Sequence, residues 1–296
     1  MQEFNTIQEL VEAAVQAGKN ISEIVLDQQA EQMEKSKEEL FNTMAASLHV
    51  MQEAVASGLK PDLKSASGLS GGNAFKLNQA IEQGKSVRGD LLGKMMVKAL
   101  AVSEFNACMG RIVAAPTAGS CGIIPAVLIT AMEEYDIPED KAVMGLFTGA
   151  GIGMVIAKQA SISGAEGGCQ AECGSASAMA AAALVEILGG TPQMAANACA
   201  IALKNSMGLV CDPVAGLVEV PCVKRNASGA ASALAAANLA LAGIESVIPV
   251  DEVIRAMKSV GDIMSPTLKE TAQGGIAATP TARKLTKKIF GEEGNS

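Results

Sequence analysis

Seven cysteines are the residues of this chain best suited to chemistry, and five of them fall within residues 161–222. Cys169 follows two glycines at the start of an Ala-rich segment, and Cys211 and Cys222 enclose a loop with two prolines and a glycine. Proline and glycine interrupt helices, so both ends of that loop can face one point. Three thiolates that meet there suit an iron–sulfur cluster, in which an iron without a protein ligand would act as a Lewis acid.

Two other interpretations of these cysteines stay open on spacing alone. Cys169 and Cys173 form a CxxxC pair that could join the other two in a closed zinc site, although structural zinc more often uses CxxC pairs in smaller domains. Free cysteines can also be small buried apolar side chains and nothing more. Cys121 lies among glycines and apolar residues, which favours this last interpretation over a role as a fourth ligand.

Helix signals predict how Cys169 and Cys211 come together although they are far apart in the sequence. The Gly-Gly pair at residues 189–190 is typical of a helix end, and Thr191 followed by Pro192 is typical of a helix start. The chain between the two cysteines is therefore predicted to form a helical hairpin, which returns to the place where it began.

Two loops offer candidate groups for binding an anionic substrate. Ser70, Gly72 and Asn73 lie in a Ser-Gly-Gly-Asn sequence ahead of a predicted helix, where successive backbone N–H groups could bind a carboxylate. A plain capped turn is the alternative for this loop. Thr117 lies in a Pro- and Gly-rich turn ahead of another predicted helix, whose N-terminus also offers free N–H groups. Both loops are predicted substrate-binding elements.

Lys158 is the predicted catalytic base. It ends an uncharged run, residues 142–157, and precedes the stretch that contains Cys169. Desolvation and a nearby metal could lower its pKa enough for proton abstraction, whereas a surface lysine with a buried stem is the alternative. The only histidine, His49, lies beside the apolar stripe of a predicted helix, and we do not expect it to be catalytic.

The composition indicates a core of small and aliphatic side chains and a small-molecule substrate or protein partner. The 296 residues are 49% hydrophobic but only 2% aromatic, and their net charge of −8 argues against binding to nucleic acid or an anionic membrane. The uncharged run at residues 142–157 is short for a bilayer span and predicts a buried helix. The N-terminal residues do not resemble a signal peptide, so we expect a cytoplasmic protein with reduced cysteines.

No segment alternates apolar and polar residues, so the fold is predicted to be mainly α. We expect a single large helical domain with buried Ala- and Gly-rich central helices and cysteines carried on loops. Residues 1–57 are predicted to form an N-terminal helical segment, with capping-box spacing at Thr6 and Ser36. Residues 58–296 are predicted to form the catalytic domain that binds the cluster, and the two parts should pack as one unit.

Three long stretches carry a recognisable family pattern: RIVAAPTAGSCGIIPAVL at residues 111–128, KQASISGAEGGCQAECG at residues 158–174 and NSMGLVCDPVAGLVEVPCVKRNA at residues 205–227. They closely resemble the iron–sulfur L-serine dehydratases, in particular the alpha chain of the two-subunit form. The resemblance implies that Cys169, Cys211 and Cys222 hold a 4Fe-4S cluster. Cys173 falls where the family pattern does not require cysteine, which argues against the zinc set.

The resemblance also implies a reaction and a partner. The reaction is the elimination of water from L-serine to give pyruvate and ammonia, with Asn205 among the residues that position the substrate. A separate beta chain would complete an oligomeric enzyme, and it could supply the catalytic base from a Ser-rich motif that contains histidine. Removal of sulfide from L-cysteine, a zinc-stabilised subunit without catalytic activity, and a pyridoxal-phosphate dehydratase are the alternatives. The last of these lacks the α/β pattern that it would need.

Overall fold

Thirteen α-helices make up the fold of the computed structural model, which describes residues 4–87 and 90–291. No β-strand occurs within those residues, and the prediction of a mainly α fold is confirmed. The helices, in chain order, are α1 Ile7–Ala17, α2 Ile21–Gln32, α3 Lys37–Gly58, α4 Asn73–Glu82, α5 Asp90–Ala107, α6 Ile123–Glu134, α7 Glu139–Gln159, α8 Gly164–Gly167, α9 Ser175–Ile187, α10 Pro192–Ser206, α11 Cys222–Leu241, α12 Val250–Ile263 and α13 Pro280–Phe290.

The helix start signals in the sequence act as predicted. Thr6 forms a complete capping box with Glu9 at the start of α1, and the Ser36 side chain caps α3. Thr191 caps α10, with Pro192 in its first position. The predicted hairpin between Cys169 and Cys211 is confirmed as α9 and α10, which pack against each other along their length.

The core is built around α9, in which all thirteen residues are buried. Helices α6, α7, α10 and α11 surround it, and the Ala-rich facing surfaces allow their backbones to approach closely. Among the described residues, α7 is long and apolar enough to cross a membrane by length and composition alone. It packs against α2, α3 and α9, and the prediction of a buried helix at residues 142–157 is confirmed.

The N-terminal helices join the same hydrophobic core as the rest of the chain. Ile7 of α1, Val25 of α2 and Leu48 of α3 belong to one cluster of buried side chains that also contains α9. The predicted boundary between residues 57 and 58 lies in the last turn of α3. A division of the chain into two parts there remains a prediction.

Gly58 lies where α3 and α5 come closest, so we expect Gly58→Ala to destabilise the fold. A Cβ at this position would lie 2.0 Å from the carbonyl oxygen of Ala101 and 2.7 Å from its Cα, both rigid backbone atoms. The two helices must separate, which should lower the free energy of unfolding by about 2 kcal/mol or more. Urea titration followed by circular dichroism measures this change. Ala56→Ser on the exposed face of α3 is the control, and an equal loss there would contradict a cost specific to the α3–α5 contact.

Candidate metal centre and substrate site

The three predicted cysteine ligands come from different local structures. Cys169 immediately precedes a π-helical turn, Gln170–Gly174, that leads directly into α9. Cys222 is the first residue of the long helix α11, whereas Cys211 lies in extended chain. The prediction that all three lie on loops therefore holds only for Cys211. A helix N-terminus carries a partial positive charge that stabilises a thiolate, so the position of Cys222 suits a metal ligand.

The backbone of Cys211 is fixed by residues 264–279, which we call the C-terminal cover. The Cys211 N–H donates to the carbonyl oxygen of Leu268 at 2.8 Å, and its own carbonyl oxygen accepts from the Glu270 N–H at 2.7 Å. The next residue, Asp212, accepts from the Ile276 N–H at 2.7 Å. A segment about 60 positions later in the sequence thus fixes the position of this cysteine.

The three sulfur atoms are buried and act on one another electrostatically. Cys169, Cys211 and Cys222 are 2%, 3% and 7% exposed. Burial raises the pKa of both Cys211 and Cys222, and the charge of Cys169 is the next largest cause. The pKa of Cys222 is raised to about 12. The contacts of the three cysteines converge on one side chain, Glu172, whose donor atom lies within 4.8 Å of the Cys169 sulfur. A Cβ on Gly164 would lie 3.5 Å from the Glu172 carboxylate and 2.9 Å from the Cys211 sulfur. Asn226 donates to the carbonyl oxygens of both Cys222 and Gly119, and Gly119 packs against Glu172. The structure therefore brings together the three residues that the sequence analysis selected.

Arg225 is a positive charge at this centre that the sequence analysis did not single out. Its guanidinium donates to the carbonyl oxygen of Val210 at 2.7 Å and to Asp212 at 2.9 Å. Burial lowers the pKa of Arg225, but the charges of Cys169 and Asp212 outweigh that effect and raise it. A hydrogen bond from the Cys173 thiol, assisted by the charge of Arg225, lowers the pKa of Cys169. Among the four cysteines at this centre, Cys169 therefore ionises most easily.

Glu172 is a second site residue that the sequence analysis missed. It lies between Cys169 and Cys173 in the sequence, and the donor atoms of these three residues all lie within 4.8 Å of one another. Thr117, a predicted substrate-binding residue, donates its hydroxyl hydrogen to the Glu172 carboxylate. Burial raises the pKa of Glu172. The sequence did contain a signal for this residue: Glu172 directly precedes residues 173–185, which carry no charge.

The loop with the predicted anion-binding N–H groups does bind an anion, but that anion belongs to the chain itself. The fully buried Glu104 of α5 accepts from the N–H groups of Gly71, Asn73 and Ala74, at 3.2, 3.0 and 3.1 Å. Gly72 adopts a left-handed conformation, with φ of 74°, to form the N-cap of α4.

These contacts change the expectation for Ser70, Gly72 and Asn73 as substrate-binding residues. The Ser70 N–H donates to Ser65, and the Asn73 side chain donates to Glu104. A substrate carboxylate would have to displace Glu104 from donors that already satisfy it. The contacts favour a structural role for this loop, because they attach it to α5.

The same loop also contacts the segment between Cys211 and Cys222. The hydroxyls of Ser65 and Ser67 donate to the two carboxylate oxygens of Glu219, each at 2.6 Å. The segment that leads into α4 is therefore attached to the cysteine loop at its middle and to α5 at its end.

The structure places Lys158 and Asn205 outside the group formed by the cysteines and Glu172. The Lys158 ammonium is exposed and donates to the carbonyl oxygen of Phe4 at 3.0 Å. Asn205 is exposed at the rim of a pocket of about 450 Å³ that also contains Cys173 and Arg225. Asn205 thus borders the centre from one side, whereas Lys158 contacts the N-terminal segment at Phe4.

Replacing Lys158 by methionine tests its predicted role as the base. Loss of a general base lowers kcat by about 100- to 10,000-fold. Because the ammonium lies on the surface against Phe4, we expect kcat to fall by less than about threefold. Steady-state assay of L-serine turnover measures the effect, with Lys141→Met on the same helix as the control. A fall of 100-fold or more for Lys158 alone would restore it as the base.

Comparison with known proteins places this centre in a family. Residues 16–277 match the family model described as serine dehydratase alpha chain. The chain belongs to the serine dehydratase alpha chain family. A Bacillus subtilis relative, described as a probable L-serine dehydratase alpha chain, is 53% identical over 97% of this chain and 96% of its own length. The L-serine dehydratase alpha chain of Peptoniphilus asaccharolyticus is 46% identical over 98% of this chain and 99% of its own.

A longer relative shows how this alpha chain family relates to larger proteins. The L-serine dehydratase of Streptomyces coelicolor is 40% identical over 282 residues, which are 93% of this chain but 60% of that protein. The family's alpha chain region is thus one part of that longer protein.

Proposed function

We propose that this chain is the alpha chain of an L-serine dehydratase, which eliminates water from L-serine to give pyruvate and ammonia. The proposed cofactor is a 4Fe-4S cluster held by Cys169, Cys211 and Cys222. The observation that carries the proposal is the meeting of these three buried cysteines beside Arg225, in a member of the serine dehydratase alpha chain family.

The distances between the donor atoms support a cluster over a single ion at these three cysteines. Two thiolates on one zinc ion lie within about 4.6 Å of each other, because each Zn–S bond is about 2.3 Å long. Within the described part of the chain, the only group of three donors all within 4.8 Å is Cys169, Glu172 and Cys173. The sulfur atoms of Cys169, Cys211 and Cys222 are therefore not all close enough together to bind one ion, whereas a cluster has several metal atoms to bind them.

The residues around the cysteines supply the environment that the elimination needs. When bound, a cluster with an open iron supplies a Lewis acid that makes hydroxide a better leaving group. After the hydrogen bond from Cys173, the charge of Arg225 favours the thiolate form of Cys169, the form that binds metal. Burial of the cysteines keeps bulk water away from the reacting atoms. The enamine released after elimination tautomerises and hydrolyses to pyruvate and ammonia in solution.

A separate beta chain is part of the proposal, because neither Lys158 nor a histidine of this chain lies at the cysteines. The only histidine of the chain, His49, is exposed and contacts Glu139 at 3.0 Å. The alpha chain designation of the relatives supports a second chain, and so does the additional length of the Streptomyces protein. We propose a cytoplasmic enzyme in which the two chains together form the complete site, consistent with seven free cysteines.

Anaerobic reconstitution tests the proposed function. The chain is loaded with iron and sulfide and mixed with a candidate beta chain. It is then assayed for pyruvate from L-serine and L-cysteine and for 2-oxobutanoate from L-threonine. We expect pyruvate from L-serine only when both chains and the cluster are present. Pyruvate from L-cysteine alone would favour sulfide removal instead. Protein that binds zinc but neither iron nor sulfide, and forms no pyruvate, would favour the subunit without catalytic activity.

A further inference from the structure

The carboxylate of Glu172 has no assigned role in the proposed function, and its surroundings are unusual for an acidic side chain. It is largely withdrawn from solvent, and its hydrogen-bond donor is the hydroxyl of Thr117. Within residues 4–87 and 90–291, no lysine, arginine or histidine lies within 4.0 Å of it to form an ion pair. A carboxylate in such a place is costly to bury, so a cation from outside the chain would stabilise it.

Two glycines allow other segments of the chain to pack closely against this carboxylate. A Cβ on Gly119 would lie 2.4 Å from one carboxylate oxygen of Glu172, which leaves no room for any larger residue there. A Cβ on Gly164 would lie 3.5 Å from the other oxygen and 2.9 Å from the sulfur of Cys211. The second oxygen of Glu172 and the sulfur of Cys211 therefore lie close together, so a group that binds one of them lies next to the other.

The chemistry of an α-amino acid matches these two neighbours. Its hydroxyl and carboxylate oxygens suit the metal side of the site, whereas its α-ammonium group carries three N–H donors and a positive charge. A carboxylate acceptor gives that ammonium a charge-assisted hydrogen bond, which is stronger than a neutral one. Arg225 cannot serve here because it is cationic, and its hydrogen bonds are with Val210 and Asp212.

We propose that Glu172 binds the α-ammonium group of the amino-acid substrate and that Thr117 is a positioning residue, which orients the Glu172 carboxylate. This inference rests on the proposed function and adds the group that selects amino acids over hydroxy acids of the same shape. The Thr117 hydroxyl holds one oxygen of Glu172, which leaves the other oxygen, beside Gly164 and Cys211, for the ammonium.

Glu172→Gln, which keeps the shape and removes the charge, is the test in the reconstituted alpha–beta enzyme. We expect the KM for L-serine to rise about 10- to 100-fold, because a hydrogen bond between charged groups becomes a weaker one. The inhibition constant of 3-hydroxypropanoate, which is serine without the amino group, should change by less than about threefold. Calorimetry measures the binding of L-alanine, which cannot lose water. Its dissociation constant should rise by the same factor, without turnover.

Further variants and measurements distinguish ammonium binding by Glu172 from metal ligation. Iron and sulfide contents should stay at the wild-type level in Glu172→Gln, and a loss of iron would show that Glu172 is a metal ligand instead. Thr117→Val should raise the KM by about threefold to tenfold, with recovery in Thr117→Ser. Glu245→Gln on the exposed loop after α11 is the matched control and should leave both constants unchanged.

Two results would overturn the inference. If Glu172→Gln weakened the binding of L-serine and of 3-hydroxypropanoate equally, Glu172 would not be recognising the ammonium group. A wild-type enzyme that forms no pyruvate would remove the proposed function itself, and this outcome is distinct because it precedes any variant.

Discussion

Serine in place of Cys169, Cys211 or Cys222 is expected to prevent the chain from keeping its cluster. Each variant should retain less than about one iron per chain after anaerobic reconstitution and gel filtration, against about four in the wild type, because a hydroxyl is a poor ligand for this iron. Pyruvate formation from L-serine should fall below detection in all three. Iron and sulfide analysis, together with the visible absorption spectrum, measures the loss.

Two other cysteines provide controls for this experiment. Cys199 is fully buried in α10, and Cys199→Ser should keep the wild-type iron content. Cys173→Ser should also keep it, since its thiol is a donor to Cys169 and not an expected ligand. Loss of metal in Cys173→Ser but not in Cys211→Ser would contradict the cluster assignment and favour the compact group of Cys169, Glu172 and Cys173 as a zinc site.

Removal of the Glu104 carboxylate should produce the largest loss of stability. In Glu104→Ala, the N–H groups of Gly71, Asn73 and Ala74 and the Asn73 amide lose a buried acceptor. Each buried donor left without a partner costs about 1 to 3 kcal/mol, so we expect a fall of about 3 to 5 kcal/mol after the loop relaxes. Urea unfolding measures it, and limited proteolysis should cut first within residues 58–72.

The control for Glu104→Ala is Glu53→Ala, which removes an exposed carboxylate from α3 and should change the free energy of unfolding by less than about 0.5 kcal/mol. A similarly small effect in Glu104→Ala would show that the loop does not depend on this acceptor. Because Ser65 and Ser67 connect the same loop to Glu219, we also expect Glu104→Ala to lower the iron content partly.

Much of the fold could be predicted from the sequence because its signals are local. Caps at Thr6, Ser36 and Thr191 depend on hydrogen bonds within four residues, and they appear where the sequence predicts them. The apolar run at residues 142–157 had to be buried, whatever its neighbours. The hairpin of α9 and α10 followed from the stop and start signals between them.

The surroundings of the site could not be predicted in the same way. Backbone N–H groups at residues 71–74 indicate an anion, but only the fold shows that Glu104, about 30 positions later, supplies it. Lys158 adjoins the cysteine stretch in sequence, yet helix geometry turns its side chain toward Phe4. Glu172 and Thr117 meet across 55 positions, which a single sequence cannot reveal.

The C-terminal cover implies an order of events in the cell. The Cys211 backbone donates to Leu268 and accepts from Glu270, and Asp212 accepts from Ile276. During synthesis, the chain therefore presents Cys169 and Cys222 before the residues that hold Cys211 in place have been made. Stable insertion of iron and sulfide is therefore expected only after residues 264–279 have been made, and a chain that stops before them should fail to keep the cluster.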